Sequence, residues 1–366
     1  IPLGIKSKLM KTIIYTKYVK NIFATGLMLF AAAGVVAQEE EETTPSFTLS
    51  GSIDAYYRAN LNGDNSAPGG VPNAAPGSSF ANLPGFALGM ANVVAGYEGE
   101  KVGFVADLVF GPRGTDAIFA SPIYSATGNI VNQLYAYWNV SDDVTLTFGN
   151  FNTFLGYEVI SPTANFNYST SYLFSYGPFS HTGLKADFAL SDDFSLMLAV
   201  MNRTDITELN MDGKYAYGAQ LGYSGQYLNF LADNGAFEID YTGGFDLSDD
   251  FFLGLNAAYF DGGDDAAGFA GVALYPQLAT SEDFTIGLRG EYFTELDGEF
   301  GAIGTGVEES SVFAVTLTGS YSVDNLTIKP ELRLDSASDD SFYFADSDLN
   351  PQKSLSSFVL AAIYSF

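Results

Sequence analysis

The sequence predicts an all-β protein, a transmembrane antiparallel up-and-down β-barrel of about 16 strands. Three observations support this prediction. Segments of about nine to eleven residues alternate between apolar and polar side chains, which is the tilted span of a bilayer and longer than the five or six residues common in soluble strands. Short acidic turns alternate with long polar loops, and aromatic residues gather at both ends of the alternating segments. Membrane barrels combine all three features.

Seven short turns divide the chain, and each one opens a new alternating segment. Their Asp, Asn, Ser and Gly residues tolerate left-handed dihedral angles or hydrogen-bond to their own backbone. The turns lie at residues 98–101, 141–143, 191–193, 224–226, 248–250, 281–283 and 322–325. Seven turns that join eight two-stranded units give 16 strands and place both chain ends on one rim. Fourteen strands stay open as an alternative, because the segments near Phe86, Tyr227 and Phe269 are apolar on both faces.

Long segments rich in Gly, Asn, Asp and Pro separate these turns. They cover residues 61–84, 112–129, 152–180, 294–310 and 336–353. Short turns on one rim and long loops on the other are typical of periplasmic turns and extracellular loops in outer-membrane barrels.

Aromatic residues on the apolar face separate a membrane barrel from a soluble sandwich. Both folds alternate, but a sandwich core has no reason to sort aromatic residues by depth. Here they form two groups one strand length apart, as the interfacial girdles of a membrane barrel do. The group near the turns comprises Phe47, Trp138, Phe194, Tyr223, Phe251, Phe284, Tyr321 and Phe366; the group near the loops comprises Tyr57, Phe110, Tyr217, Phe237, Tyr259, Tyr292, Phe313 and Phe358.

The two ends of the alternating pattern carry special features. The last segment, residues 358–366, alternates strictly and ends on Phe366, which is the signal that outer-membrane barrel-assembly machinery reads. Pro330 lies in the middle of the preceding strand. Because proline cannot donate a ladder hydrogen bond and a barrel has no free edge, we expect a bulge there.

The N-terminal region resembles a secretory signal peptide. Residues 1–37 contain five Lys and no acidic residue, and an apolar core of roughly 15 residues precedes the small residue Ala37. This core is shorter than the about 20 residues that a spanning helix needs. We therefore expect residues 1–37 to be removed, with Met10 as the true start, then a short acidic segment at 38–46 and the barrel at 47–366.

Composition excludes several classes of protein. The chain has a net charge of −28 and no Cys. Such an acidic chain will not hold a phosphate backbone, so we expect no nucleic-acid partner, and it offers no disulfide or thiolate metal site. Carboxylates cluster at 261–265 and 335–348 without the spacing of a known calcium loop, so we expect no metal and no cofactor, while calcium binding by these loops stays open.

Charged residues of the alternating segments fall on the polar face, which would line the lumen. A charge on the lipid face would cost about 2–4 kcal/mol near the bilayer midplane. The pore-lining candidates are Asp54, Arg58, Asp107, Lys185, Asp187, Arg203, Glu238, Asp240, Arg289, Glu291, Lys329, Glu331 and Arg333. Sixteen strands enclose more space than side chains can fill, so the expected lumen is an aqueous channel.

The segment 152–180 is a candidate constriction loop. It is 29 residues long, carries many aromatic residues and has one charge, Glu158. Such a loop is poorly suited to face water, so we expect it to fold into the barrel, with a position over the rim or against a neighbouring subunit as the alternative. The candidate residues are Tyr157, Glu158, Tyr168, Tyr172 and His181.

Motifs in and beside this segment resemble those of a known family. They are Gly149-Asn-Phe151, Gly156-Tyr-Glu158, Asn167-Tyr-Ser169, Ser171-Tyr172 and Pro178-Phe-Ser-His-Thr-Gly183. They are similar to the OmpL-like outer-membrane β-barrel porins, which the signal peptide, the turns and the terminal Phe366 also resemble. The resemblance implies a porin, and it supplies no catalytic or ligand residues.

These observations together predict an outer-membrane porin, a passive diffusion channel for small hydrophilic solutes that prefers cations. A substrate-selective channel for sugars or peptides, or a structural or adhesive barrel with a blocked lumen, remains the alternative. We expect no catalytic residue: His181 is the single His, and Asp187 lies roughly 20 Å along the same strand. Outer-membrane lipid and the assembly machinery are expected partners, and a homo-oligomer stays open.

Overall fold

A computed structural model of the protein describes residues 45–118, 130–210, 212–264 and 266–366. The predicted signal peptide lies outside these residues, as does the segment 38–44. Helices within the described part are short: Pro112–Ala117, Tyr172–Tyr176 and a 3₁₀ turn at Pro68–Gly70. None of these described helices has the length or the apolar character needed to cross a membrane.

The strands form one closed antiparallel barrel in which each strand pairs with the next and the last pairs with the first. The 16 strands are β1 (Ser46–Asn60), β2 (Gly85–Glu98), β3 (Val102–Phe110), β4 (Val131–Ser141), β5 (Val144–Asn152), β6 (Ser180–Ala189), β7 (Phe194–Met201), β8 (Ala216–Tyr223), β9 (Gln226–Asp233), β10 (Ala236–Asp246), β11 (Phe251–Asp261), β12 (Gly268–Ala279), β13 (Phe284–Leu296), β14 (Ser311–Val323), β15 (Leu326–Ser341) and β16 (Gln352–Ser365). The predicted fold class and the count of 16 are confirmed, and the three segments that are apolar on both faces belong to β2, β9 and β12.

Alternation along each strand sorts side chains between the lumen and the outer surface. In β13, Leu288 and Tyr292 are exposed on the outside, whereas Arg289 and Glu291 are fully buried inside. Aromatic residues of both predicted groups are exposed on the outer face, among them Trp138 near the turns and Phe313 near the loops. The outer surface is therefore apolar with aromatic residues at two depths, as a bilayer requires.

All seven predicted turns connect neighbouring strands on one rim, which we call the short-turn rim. The opposite rim, the long-loop rim, carries the longer connections. One connection there is short: Asn234 and Gly235 join β9 to β10, with φ angles of 52° and 98°. Two central residues with positive φ are typical of a tight hairpin turn, for which Asn-Gly is the preferred sequence.

The expectation of a bulge at Pro330 was wrong. Pro330 pairs with Leu360 of β16. On the other side, β15 pairs with β14 in the same register before and after Pro330, through Tyr321–Ile328 and Thr318–Glu331. Only the two intervening β14 pairs are missing. Gly319 lies opposite the proline ring, where a Cβ atom would stand 3.5 Å from it. The ladder therefore accommodates the missing donor by a local gap beside glycine instead of an extra residue.

The C-terminus closes the barrel through the backbone of Phe366. Phe366 and Gly51 of β1 exchange both backbone hydrogen bonds, at 3.0 and 3.1 Å. A Cβ atom at Gly51 would lie 2.2 Å from the carbonyl oxygen of Asn92 and 2.8 Å from the Phe366 ring, so this pairing requires glycine. The Phe366 side chain is exposed on the outer surface.

Candidate functional site

Twelve of the thirteen pore-lining candidates lie on strands with their side chains on the inner face. Ten of these are buried, whereas Lys185 and Asp187 on β6 are partly exposed. Arg203 is the exception: β7 ends at Met201, so its predicted placement on a strand was wrong. It lies on the long-loop rim, where it forms ion pairs with Asp212 at 2.9 Å and Asp233 at 2.5 Å.

The β5–β6 loop (residues 153–179) contacts the inner face of β13 through charged side chains. Arg289 donates to Glu158 at 2.7 Å and to the carbonyl oxygen of Ser169 at 2.6 Å. Glu291 accepts from the backbone nitrogen atoms of Tyr172 and Leu173 at 3.0 and 2.9 Å. These bonds place the loop inside the barrel, because their strand partners face the lumen.

Strand β15 and strand β1 hold the same loop. Glu331 accepts from the backbone nitrogen atoms of Tyr168 and Ser169 at 2.9 and 3.2 Å. Lys329 donates to the carbonyl oxygen of Pro162 at 3.1 Å. The hydroxyl of Tyr168 donates to Asp54 on β1 at 2.5 Å.

Arg333 lies at the end of this row of contacts and is held by an acid on its own strand. It pairs with Asp335 at 2.7 Å and donates to the carbonyl oxygen of Thr170 at 2.8 Å. Arg58 on β1 is buried beside these groups and donates to Asn60 at 2.7 Å. The basic side chains of this region are thus committed to the protein itself.

Inside the loop, one carboxylate organises the backbone. Glu158 accepts from both the backbone nitrogen and the hydroxyl of Ser171, at 2.6 and 2.7 Å. Ser171 is also the N-cap of the helix Tyr172–Tyr176, since its hydroxyl accepts from the backbone nitrogen of Phe174 at 3.0 Å. The one charge of the segment therefore joins the wall residue Arg289 to the cap of this helix.

Both ends of the loop lie beside β10, and the N-terminal end is hydrogen-bonded to it. Asp240 accepts from the backbone nitrogen of Gly156 at 2.9 Å and from Asn229 at 2.7 Å. Gly156 has a φ of +82°, a conformation that favours glycine. Glu238 is buried on the same face, near the end of the loop at Gly177.

Of the constriction-loop candidates, Tyr157, Glu158, Tyr168 and Tyr172 lie in the loop. The Tyr157 ring stacks on Tyr275 of β12, with centroids 4.2 Å apart. Burial raises the pKa of the Tyr157, Tyr168 and Tyr172 phenols above the ordinary value for Tyr. His181 lies on β6, fully buried at the base of the loop, with its Nε2 atom 3.0 Å from the hydroxyl of Thr153.

A second loop packs against the first, a contact that the sequence analysis did not predict although it predicted the loop. In the β1–β2 loop (residues 61–84), the carbonyl oxygen of Gly77 accepts a hydrogen bond from the hydroxyl of Tyr176 at 2.8 Å. Its Ser79 donates from the backbone to the hydroxyl of Ser175 at 2.7 Å, and its Ser78 accepts from Arg333 at 2.9 Å. The signal was present, because this segment, like 152–180, is long and carries a single charge, Asp64.

Among the cavities lined by described residues, one lies below the two packed loops and one above them. The lower cavity, of about 1260 Å³, reaches the short-turn rim at Asp143, Glu282 and Asp324 and extends to the β5–β6 loop. The upper cavity, of about 580 Å³, lies at the long-loop rim between the β1–β2 loop, the helix Pro112–Ala117 and Tyr343.

One apolar cluster contributes to both cavities. It consists of Phe80, Met90, Val109, Ala117, Ile160, Phe174 and Phe179. Phe80 lines the upper cavity, whereas Phe174 and Phe179 line the lower one. The aromatic rings are in contact, with the Phe174 and Phe179 centroids 5.0 Å apart and the Phe80 and Phe174 centroids 5.8 Å apart. The cluster therefore lies between the two cavities.

The charged side chains around the lower cavity are mostly acidic. The acidic lining residues are Asp107, Asp142, Asp143, Glu158, Asp187, Glu282, Asp283 and Asp324, and the basic one among the described residues is Lys185. Asp107 accepts from the side-chain amide of Asn132 at 2.6 Å, and Lys185 pairs with Asp187 at 3.0 Å. Across the four described ranges, no three His, Cys, Asp or Glu side chains are grouped so as to hold a metal ion.

Several solved structures share this architecture. The outer-membrane channel DcaP of Acinetobacter baumannii is similar at a TM-score of 0.57 and 13% identity, over 90% of this chain and 100% of that chain. An anion-selective porin from Comamonas acidovorans is similar at a TM-score of 0.56 and 13% identity, over 88% of this chain and 100% of that chain. The trimer form of OmpT, an outer-membrane protein of Vibrio cholerae, is similar at a TM-score of 0.52 and 11% identity, over 88% of this chain and 99% of that chain. At such identities the likeness shows the fold alone.

The sequence itself identifies the family. No protein with curated annotation matches the chain. The family described as "Putative beta-barrel porin-2, OmpL-like" matches residues 46–366, which is the whole barrel from the first residue of β1 to the terminal Phe366. Together with the closed 16-stranded fold and its neighbours among outer-membrane channels, this match confirms the resemblance drawn from the loop motifs. The chain belongs to the OmpL-like porin family of the bacterial outer membrane.

Proposed function

We propose that this protein is a passive diffusion channel for small hydrophilic solutes and that it prefers cations. The observation that carries the proposal is the lower cavity, which reaches the short-turn rim and is lined by acidic side chains. A family of porins makes a channel a better assignment than an enzyme.

The size of the barrel supports a water-filled passage. Eight-stranded barrels fill their interior with side chains, whereas barrels of 16 strands leave an aqueous lumen. In this protein the β5–β6 loop occupies part of that lumen. The loop is hydrogen-bonded to β13 and β15, so the free volume lies toward the opposite side, along β2 to β6.

Cation preference follows from the way the charges are used. Arg289, Lys329 and Arg333 are buried and bonded to the loop or to Asp335, so a permeating ion does not meet them. The side chains that line the lower cavity are left with an excess of acidic groups. An acidic mouth raises the local concentration of cations, and salt screens this effect over about 10 Å at 0.1 M.

Planar-bilayer recording of the refolded barrel tests the proposal. In a KCl gradient at low ionic strength the reversal potential should have the sign of a cation-preferring channel, and the preference should decrease at high salt. Anion preference at low salt would contradict the charge argument. Refolding is checked independently by different mobility in cold and boiled detergent gels.

A barrel with a blocked lumen is the second candidate, and the apolar cluster around Phe174 favours it. The rings between the two cavities would have to separate before a hydrated solute could pass. A refolded protein that shifts on cold gels but gives no conductance would favour the blocked lumen over the passive channel.

A further inference from the structure

Arg113 is a buried cation that the described part of the chain does not neutralise. It is the second residue of the helix Pro112–Ala117 and is 3% exposed. Its Nε atom donates to the carbonyl oxygen of Ile160 at 2.7 Å and its Nη1 atom to that of Tyr168 at 3.1 Å. Its Nη2 atom has no hydrogen-bond partner, and no carboxylate of a described residue forms an ion pair with it. Residues 119–129, which follow the helix, contain no Asp or Glu.

Such an arrangement is unfavourable unless something else completes it. A buried charge is normally paired, and a buried N–H group normally has an acceptor. The guanidinium group lies 4.6 Å from the ring centroid of Phe80 and 5.5 Å from that of Tyr168. These rings hold the charge through cation–π contacts but supply no acceptor for Nη2.

The surroundings of Arg113 indicate which group would complete it. Arg113 lines the upper cavity of about 580 Å³, together with Tyr56, Pro72, Pro76, Phe80, Tyr168 and Tyr343. Guanidinium groups match the geometry of carboxylates, and aromatic and proline surfaces take up a flat ring or another apolar body. Because Arg113 is the one basic residue among the described lining residues of this cavity, the site suits a monoanion and not a more highly charged phosphate.

We propose that the upper cavity is a binding subsite for ring-bearing carboxylates, with Arg113 as the group that pairs with the carboxylate. The proposal rests on the channel function. It adds that the channel binds one class of solute at its long-loop rim. The acidic lower cavity governs small ions, whereas this subsite selects organic anions by one cation and an aromatic wall. Asp116 also lines the cavity, so it should weaken the binding of an anion.

Calorimetric titration of the refolded protein in detergent micelles with benzoate tests the subsite. Benzyl alcohol, which has the same ring without the charge, serves as the control ligand. We expect benzoate to bind and benzyl alcohol to bind at least tenfold more weakly. Arg113→Gln should weaken benzoate binding at least tenfold, whereas Lys214→Gln, which removes an exposed cation of the same rim, should leave it unchanged.

Asp116→Asn keeps the test independent of the contacts that Arg113 makes with the loop. This variant should bind benzoate several-fold more tightly, since it removes a negative charge without touching a described hydrogen bond. Equal affinities for benzoate and benzyl alcohol, or an Asp116→Asn variant with unchanged affinity, would overturn the proposal. The conductance in KCl without benzoate is measured separately, so a channel that conducts but does not bind benzoate refutes only the subsite.

Discussion

The two sides of the lumen use their charged side chains in different ways. On β13 and β15, which we call the pinned wall, Arg289, Glu291 and Glu331 each bond to the β5–β6 loop. On β3 to β6, which we call the open wall, Asp107 and Lys185 bond to neighbours on the same wall and line the lower cavity. Both sets follow the same alternation along their strands.

This difference shows that facing the lumen and facing the solute are separate properties. A charge on the pinned wall holds a loop and is screened from ions by it, while a charge on the open wall contributes directly to the field in the cavity. Permeation should therefore depend on the charges of the open wall. The position of the loop should depend on the charges of the pinned wall.

Removing the loop contacts should have the largest effect. Deletion of residues 163–175 removes the segment that Glu291, Glu331 and Arg333 hold, and single-channel conductance should rise several-fold because the lumen of a 16-stranded barrel becomes free. Deletion of residues 206–209, a shorter change in the β7–β8 loop on the rim, is the control for shortening a loop outside the lumen. An unchanged conductance in a well-folded 163–175 deletion would mean that the β5–β6 loop does not limit the current.

Substitution of one cation on each wall compares the walls directly. Arg289→Gln leaves Glu158 buried without its ion-pair partner, and loss of one partner of a buried pair costs about 3–5 kcal/mol. Lys185→Gln breaks a partly exposed pair, which is worth about 0–1 kcal/mol. Urea unfolding monitored by gel mobility should show a large loss of unfolding free energy for Arg289→Gln and a small one for Lys185→Gln.

In current recordings, Arg289→Gln and Lys185→Gln should differ in the opposite sense, because the lysine variant should have the larger effect on ion selectivity. Arg289→Gln should give a noisier current, since the loop is held less firmly, while Lys185→Gln should increase the cation preference. Equal losses of stability for the two variants would show that the contacts of the pinned wall do not hold the loop.

A neutral substitution on the open wall should lower the cation preference of the channel. Asp107→Asn removes one acidic group from the lining of the lower cavity, so the cation preference at low salt should fall by less than about twofold. Asp107→Glu keeps the charge and should retain the preference of the native protein. A reversal potential that is the same for both variants would place Asp107 outside the path of the ions.

Sequence reasoning succeeded where the physical signal is local. Alternation, turn residues and girdle aromatics lie within one strand or turn, and they gave 16 strands with the right turns. The contacts of the loop are not local: Arg289 and Glu158 are 131 positions apart, and the residue types alone do not say that they pair. Arg203 was misplaced because β7 ends at Met201, an end that the turn-forming residues Asn202 and Asp205 mark.

A further expected effect concerns Asp205 of the β7–β8 loop, which holds the C-terminal end of the β5–β6 loop. Its carboxylate accepts from the backbone nitrogen atoms of Phe179 and Ser180, both at 2.9 Å. Burial raises the pKa of Asp205 to about 6, although these two bonds oppose the rise. The folded protein thus holds a proton on Asp205 at a pH where the unfolded chain, with an ordinary Asp pKa near 3.8, has lost it.

Stability should therefore depend on pH with a defined sign. The ionised carboxylate destabilises the folded state above pH 6, and this penalty should be relieved as the pH falls from about 6 to about 4. Relative to Asp205→Asn, which cannot ionise, the native protein should gain about 1–2 kcal/mol of unfolding free energy over this range. Urea unfolding of both proteins at pH 4.5 and 7.5 measures the difference, in which other titrating groups cancel. If the native protein instead loses stability relative to Asp205→Asn on acidification, the hydrogen bonds to Phe179 and Ser180 outweigh burial, and the far end of the loop is held by an ionised Asp205.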